Sequence, residues 1–79
     1  MLYTVEIVTD AGNVTGCTVK GKSRREAINR TIKAQHPGAC FCWVEGCPFD
    51  TPARPLSTVW KTTTGEYIRA HAWIAADLI

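Results

Sequence analysis

Seventy-nine residues, 46% of them hydrophobic and 20% charged, are expected to form one domain (residues 1–79) near the lower size at which a single core suffices, and that balance excludes a disordered chain. The net charge of +2 hides a polarity: residues 20–33 hold six Lys and Arg against one acid, Glu26, whereas the other 65 carry three cations and six acids. The apolar runs, among them residues 39–44 and 72–76, are too short to span a bilayer, and the first residues lack the basic stretch and cleavage site of a secretory signal, so a cytosolic protein without membrane association is expected.

Leu2–Thr9 alternates, with Tyr3, Val5 and Ile7 on one face and Thr4 and Glu6 on the other, which is the pattern of a strand buried on one side. Asp10-Ala11-Gly12-Asn13 supplies turn residues, and Val14–Lys20 reads as the returning arm of a hairpin. A helix is predicted over Arg24–Gln35. Ser23 followed by Glu26 forms a capping box, in which the hydroxyl accepts from the Glu26 amide and the carboxylate reaches back to the Ser23 amide. At about 100° per residue, Ile28, Thr31, Ile32 and Gln35 share a face, while Glu26, Asn29, Arg30 and Lys33 project oppositely. His36-Pro37-Gly38 ends the helix.

Residues 39–44 read as a third strand, rich in aromatic and small apolar side chains. Residues 45–56 lack periodicity and hold three of the four prolines, so they read as a surface loop. Residues 57–62 resume a strand around Val59 and Trp60. Thr63-Thr64-Gly65-Glu66 is a turn, and Tyr67–Ile74 follows. As a strand this last segment places Ile68, Ala70, Ala72 and Ile74 on one face and Tyr67, Arg69, His71 and Trp73 on the other. As a helix it groups Ile68, Ala72, Ala75, Leu78 and Ile79, and its alanines suit that state. The strand is preferred because a Thr-rich turn suits a hairpin; residues 66–79 stay open to either state.

The chemistry-bearing residues give little. His36, Cys40, Cys42 and Cys47 form the most metal-like set, since tetrahedral zinc takes four such ligands. One residue rather than two separates Cys40 from Cys42, and small, partly buried structural thiols are the better reading. No metal or other cofactor is expected. His36 and His71 sit in no recognisable nucleophile signature, and no glycine-rich run leads from strand into helix as a phosphate loop requires. A non-catalytic protein is expected.

Two surfaces remain as partner-binding candidates. Lys20, Lys22, Arg24, Arg25, Arg30 and Lys33 form a basic corner that can engage DNA or RNA phosphates or an acidic protein groove. As a plain solvated face it would be held by a Glu26–Arg30 pair. Arg24 and Arg25 occupy the first helical turn, where the dipole favours acids, and that placement favours partner contact over stability. The second candidate is the row Tyr67, Arg69, His71 and Trp73. One helix covers only one face of a sheet, so this row would lie on the uncovered face, and Trp, Tyr and Arg are the residues that anchor interfaces. The row can also stack single-stranded bases, though no motif of the common RNA-binding folds accompanies it.

The order hairpin, capped helix, strand, loop, hairpin, carried by Y-T-V-E-I-V, S-R-R-E-A-I-N-R and V-W-K-T-T-T-G-E-Y-I-R through nearly the whole chain, resembles small phage-encoded anti-CRISPR proteins that act on type I surveillance complexes. The resemblance is one of layout, without a shared diagnostic motif. It implies a non-catalytic inhibitor, working in the host bacterial cytosol, that binds Cas proteins of the complex and blocks target DNA. Many such inhibitors are acidic mimics of DNA. This chain is net positive, so only its acidic loop region (Glu45, Asp50) can play that part. The fold expected is α+β, a four- to five-stranded antiparallel sheet with one helix on one face, in β-β-α-β-β-β order. The runner-up function is a small nucleic-acid-binding accessory protein using the basic helix face. The oligomeric state is left open.

Overall fold

The computed structural model describes residues 1–46 and 55–75. The fold is α+β: β1 (Leu2–Thr9), β2 (Val14–Lys20), α1 (Arg24–Gln35), β3 (Cys40–Val44), β4 (Leu56–Lys61) and β5 (Tyr67–Ile74). The five strands form one antiparallel sheet in the order β2-β1-β5-β4-β3. The strand reading of Tyr67–Ile74 therefore holds, and the segment occupies the middle of the sheet between β1 and β4. Most of the proline-rich loop, with Cys47 and Asp50, lies outside the described residues, as do residues 76–79.

Alternation decides what the sheet buries. Tyr3, Val5 and Ile7 of β1 meet Ile68, Ala70 and Ala72 of β5 under Ala27, Ile28 and Ile32 of α1, and these residues form the core with Leu56. Alanine at positions 70 and 72 lets the helix approach the sheet closely, since neither side chain extends beyond one methyl group. α1 packs across β5, β1 and β2. Towards β4 and β3 the same side is closed differently. Phe41 and Trp60 meet edge to face at 5.5 Å, and the Arg25 guanidinium lies 4.8 Å from the Phe41 ring centre. Thr58, buried beneath them, accepts from Trp60 Nε1 at 2.8 Å and donates to the Ala70 carbonyl at 3.2 Å.

The helix starts at the predicted cap: Ser23 is extended and its Oγ accepts from the Glu26 amide at 3.2 Å. Only that half of the box forms, because the Glu26 carboxylate turns to Arg30 at 3.1 Å instead. The helix ends at His36, whose amide bonds the Ile32 carbonyl at 2.7 Å. Gly38 then takes φ of +88°, which any side chain would strain. Gln35 does not join the buried face. It is exposed and bonds Thr15 on β2 at 3.1 Å.

Candidate interaction surface on the uncovered sheet face

No helix or strand of the described residues covers the side of the sheet opposite α1. The alternation that sends Ile68, Ala70 and Ala72 beneath the helix leaves Tyr67, Arg69, His71 and Trp73 on that other side. Register sets their neighbours. On β1, Thr4 lies beside Trp73, Glu6 beside His71 and Val8 beside Arg69. On β4, Ser57 lies beside His71, Val59 beside Arg69 and Lys61 beside Tyr67. β3 adds Trp43 next to Val59.

These side chains hold one another in place. The Trp43 and Tyr67 rings lie 6.2 Å apart, and Lys61 Nζ sits 5.6 Å from the Tyr67 ring centre. Arg69 Nε donates to Glu45 Oε2 at 3.0 Å. Ser57 Oγ and His71 Nδ1 share a hydrogen bond of 2.7 Å, and the His71 ring lies 5.9 Å from Trp73. Val59 anchors the centre at 1% exposure, whereas Trp43 and Tyr67 keep 49% and 40% of their surface. A buried floor with half-exposed aromatic rings standing on it is the build of an interface anchor.

Trp43 reaches this face because of a β-bulge. The register with β4 shifts between Phe41 and Trp43, so Phe41 pairs with Trp60 on the helix side while Trp43 pairs with Val59 on the open side. Strict alternation would have kept the two rings on one face. The bulge also corrects the expectation for the thiols. Cys42 is half-buried, as expected, but Cys40 is exposed, and the extra residue breaks the alternation that would have aligned the two. Among the described residues no group of three or more His, Cys, Asp or Glu side chains stands close enough to hold a metal ion.

Arg24 requires a second correction. It does not belong to a basic surface: it is 4% exposed and lines a cavity of about 530 Å³ with Tyr3, Lys22, Ser23, Arg25, Val44 and Leu56. The cause is helical geometry. Arg24 lies one turn before Ile28 and so continues the buried stripe of Ala27, Ile28, Thr31 and Ile32. The sequence pattern marks Ile28, Thr31 and Ile32 of this stripe, but not Arg24 at its head, whose charge suggests solvent. The other basic residues are exposed, and two already serve the fold. Arg25 stacks on Phe41, and Arg30 bonds the Lys20 carbonyl at 3.2 Å as well as Glu26.

The two candidate surfaces are thus separate. Arg25, Arg30 and Lys33 belong to the helix layer, while Tyr67, Arg69, His71 and Trp73 lie on the opposite side of the sheet. Of the basic set, Lys20 alone is placed by register on the open side, opposite Leu2 at the edge of the sheet. A flat partner on the open side therefore meets the Tyr67 row and, of the basic set, Lys20 at most.

The Glu6, His71 and Ser57 row raises the question of acyl transfer. Ser57 is only 9% exposed and lies within a strand that pairs on both sides. Interior ladders engage the backbone amides that an oxyanion hole would need. The row is built for holding a ring still. No helix among the described residues is long and apolar enough to cross a membrane. Compared with known proteins, the chain matches no family model, no curated protein and no solved structure.

Proposed function

We propose that this protein is a non-catalytic binding protein that docks a larger protein on the uncovered face of its sheet. The observation that carries the proposal is the cluster of Trp43, Tyr67, Arg69, His71 and Trp73 over buried Val59. Trp, Tyr and Arg supply most of the energy in protein interfaces. Here Arg69, Lys61 and His71 are already held by Glu45, Tyr67 and Ser57, which lowers the ordering cost of association. Glu6 and Glu45 stand among the cations, so the described residues of the face form no positive groove of the kind that tracks a nucleic-acid backbone.

The specific partner we propose is a Cas protein of a type I CRISPR surveillance complex, with loss of target DNA binding as the consequence. The layout of hairpin, capped helix, strand and closing hairpin supports this choice. The test is co-purification with an assembled complex after nuclease treatment. Retention that depends on Trp43 and Tyr67 supports the proposal. Release by nuclease, together with dependence on Lys22 and Lys33, would move the function to the basic helix and to nucleic acid.

A further inference from the structure

The sheet ends in two unlike edges. β3 is five residues long and bulged at its middle, a device that blunts an edge against further pairing. β2 is seven residues long, pairs with β1 without irregularity, contains no proline and carries one charge, Lys20, at its end. The bonds between Gly21 and Met1 and between Thr9 and Asn13 fix which groups β2 has left over. Odd-numbered residues exchange hydrogen bonds with β1, so the amides and carbonyls of Val14, Gly16, Thr18 and Lys20 point outward. Among the described residues only one of these groups is engaged, the Lys20 carbonyl, by exposed Arg30.

We propose that a second copy of this chain pairs along this edge, β2 against β2 and antiparallel, to give a continuous ten-stranded sheet. The strand is complementary to itself in one full-length register, with Cys17 on the two-fold axis. That register sets Val14 opposite Lys20 of the second copy, Gly16 opposite Thr18, and Thr15 opposite Val19. Outward groups meet outward groups, no like charges face each other, and the β-branched side chains pair. Val14, 56% exposed as a monomer, and half-buried Cys17 and Val19 gain cover.

The helices permit the arrangement. A two-fold axis perpendicular to the sheet places both helices on one side. α1 lies over β5, β1 and β2, and strands are about 4.8 Å apart, which puts each helix about 8 Å from the axis. Their separation of about 16 Å exceeds the 8–10 Å of packed helices. Arg30 gives up the Lys20 carbonyl and keeps Glu26. The two open faces then lie side by side, so a partner with repeated subunits meets the Trp43 and Tyr67 cluster twice. This dimer does not depend on what the open face binds.

The experiment is sedimentation equilibrium of the full chain and of two variants at Val14, with circular dichroism to check the fold. The wild type is expected at twice the mass of one chain. Val14→Glu places a carboxylate opposite Lys20 of the second copy, twice per dimer, and tightens association. Val14→Lys opposes like charges and weakens it. Each shift is expected to be roughly 2- to 30-fold in dimer dissociation constant, from two cross-strand pairs. A one-chain mass for the wild type overturns the proposal. Equal or reversed shifts for the two variants overturn the pairing of β2 with itself in this register.

Discussion

Ser57 and His71, on neighbouring strands, share a hydrogen bond of 2.7 Å at the middle of the uncovered sheet face. The bond fixes the His71 ring beside Trp73. Ser57→Ala is expected to cost about 0.5–1.5 kcal/mol in chemical denaturation. In a double-mutant cycle with His71→Ala the two sites should couple rather than add. Simple additivity would mean that the ring is held by its other neighbours.

The start of α1 separates structural cations from surface ones. Ser23→Ala should cost about 0.5–2 kcal/mol through loss of the cap. Arg24→Glu places a carboxylate in a cavity that holds a guanidinium, and should cost on the order of 3 kcal/mol or more. Lys33→Glu, on the exposed face, should stay within about 0.5 kcal/mol of wild type. Thermal melts of the three variants check the order; a neutral Arg24→Glu would contradict the burial of that side chain.

Much of this architecture is legible in the sequence. The alternation of Leu2–Thr9 and the cap at Ser23 mark their elements because period and capping are local properties, whereas Tyr67–Ile74 suited a helix as well and its pairing with β1 and β4 decides for the strand. The sequence also placed Tyr67, Arg69, His71 and Trp73 together on one face. Strand order was not legible, since β5 enters between β1 and β4 through contacts distant in sequence. The bulge that sends Trp43 to the open face was hidden, because a single extra residue leaves no mark in a run of Cys and aromatic residues. Glu6, Ser57 and Lys61 joined the site only once register was known. Arg24 was misplaced because residue type outweighed its position on the stripe.

The two layers should respond differently to truncation. Ile28→Ala or Ile68→Ala, each at a fully buried position, should cost about 2–5 kcal/mol. Trp43→Ala removes a half-exposed ring and should cost less than either. Urea unfolding of the three variants provides the comparison. A Trp43→Ala loss as large as that at Ile68 would assign the ring to the core rather than to a surface for binding.

The central claim is that the open face of the sheet engages the partner and the basic helix does not. The most direct measurement is target DNA binding by a purified type I surveillance complex in the presence of wild type, Trp43→Ala/Tyr67→Ala and Lys22→Glu/Lys33→Glu. Both pairs change exposed side chains, so circular dichroism should report the same fold for all three. The account predicts that the wild type and the helix variant suppress DNA binding and that the sheet variant does not. Suppression by the sheet variant but not by the helix variant, or no suppression by the wild type, would contradict it.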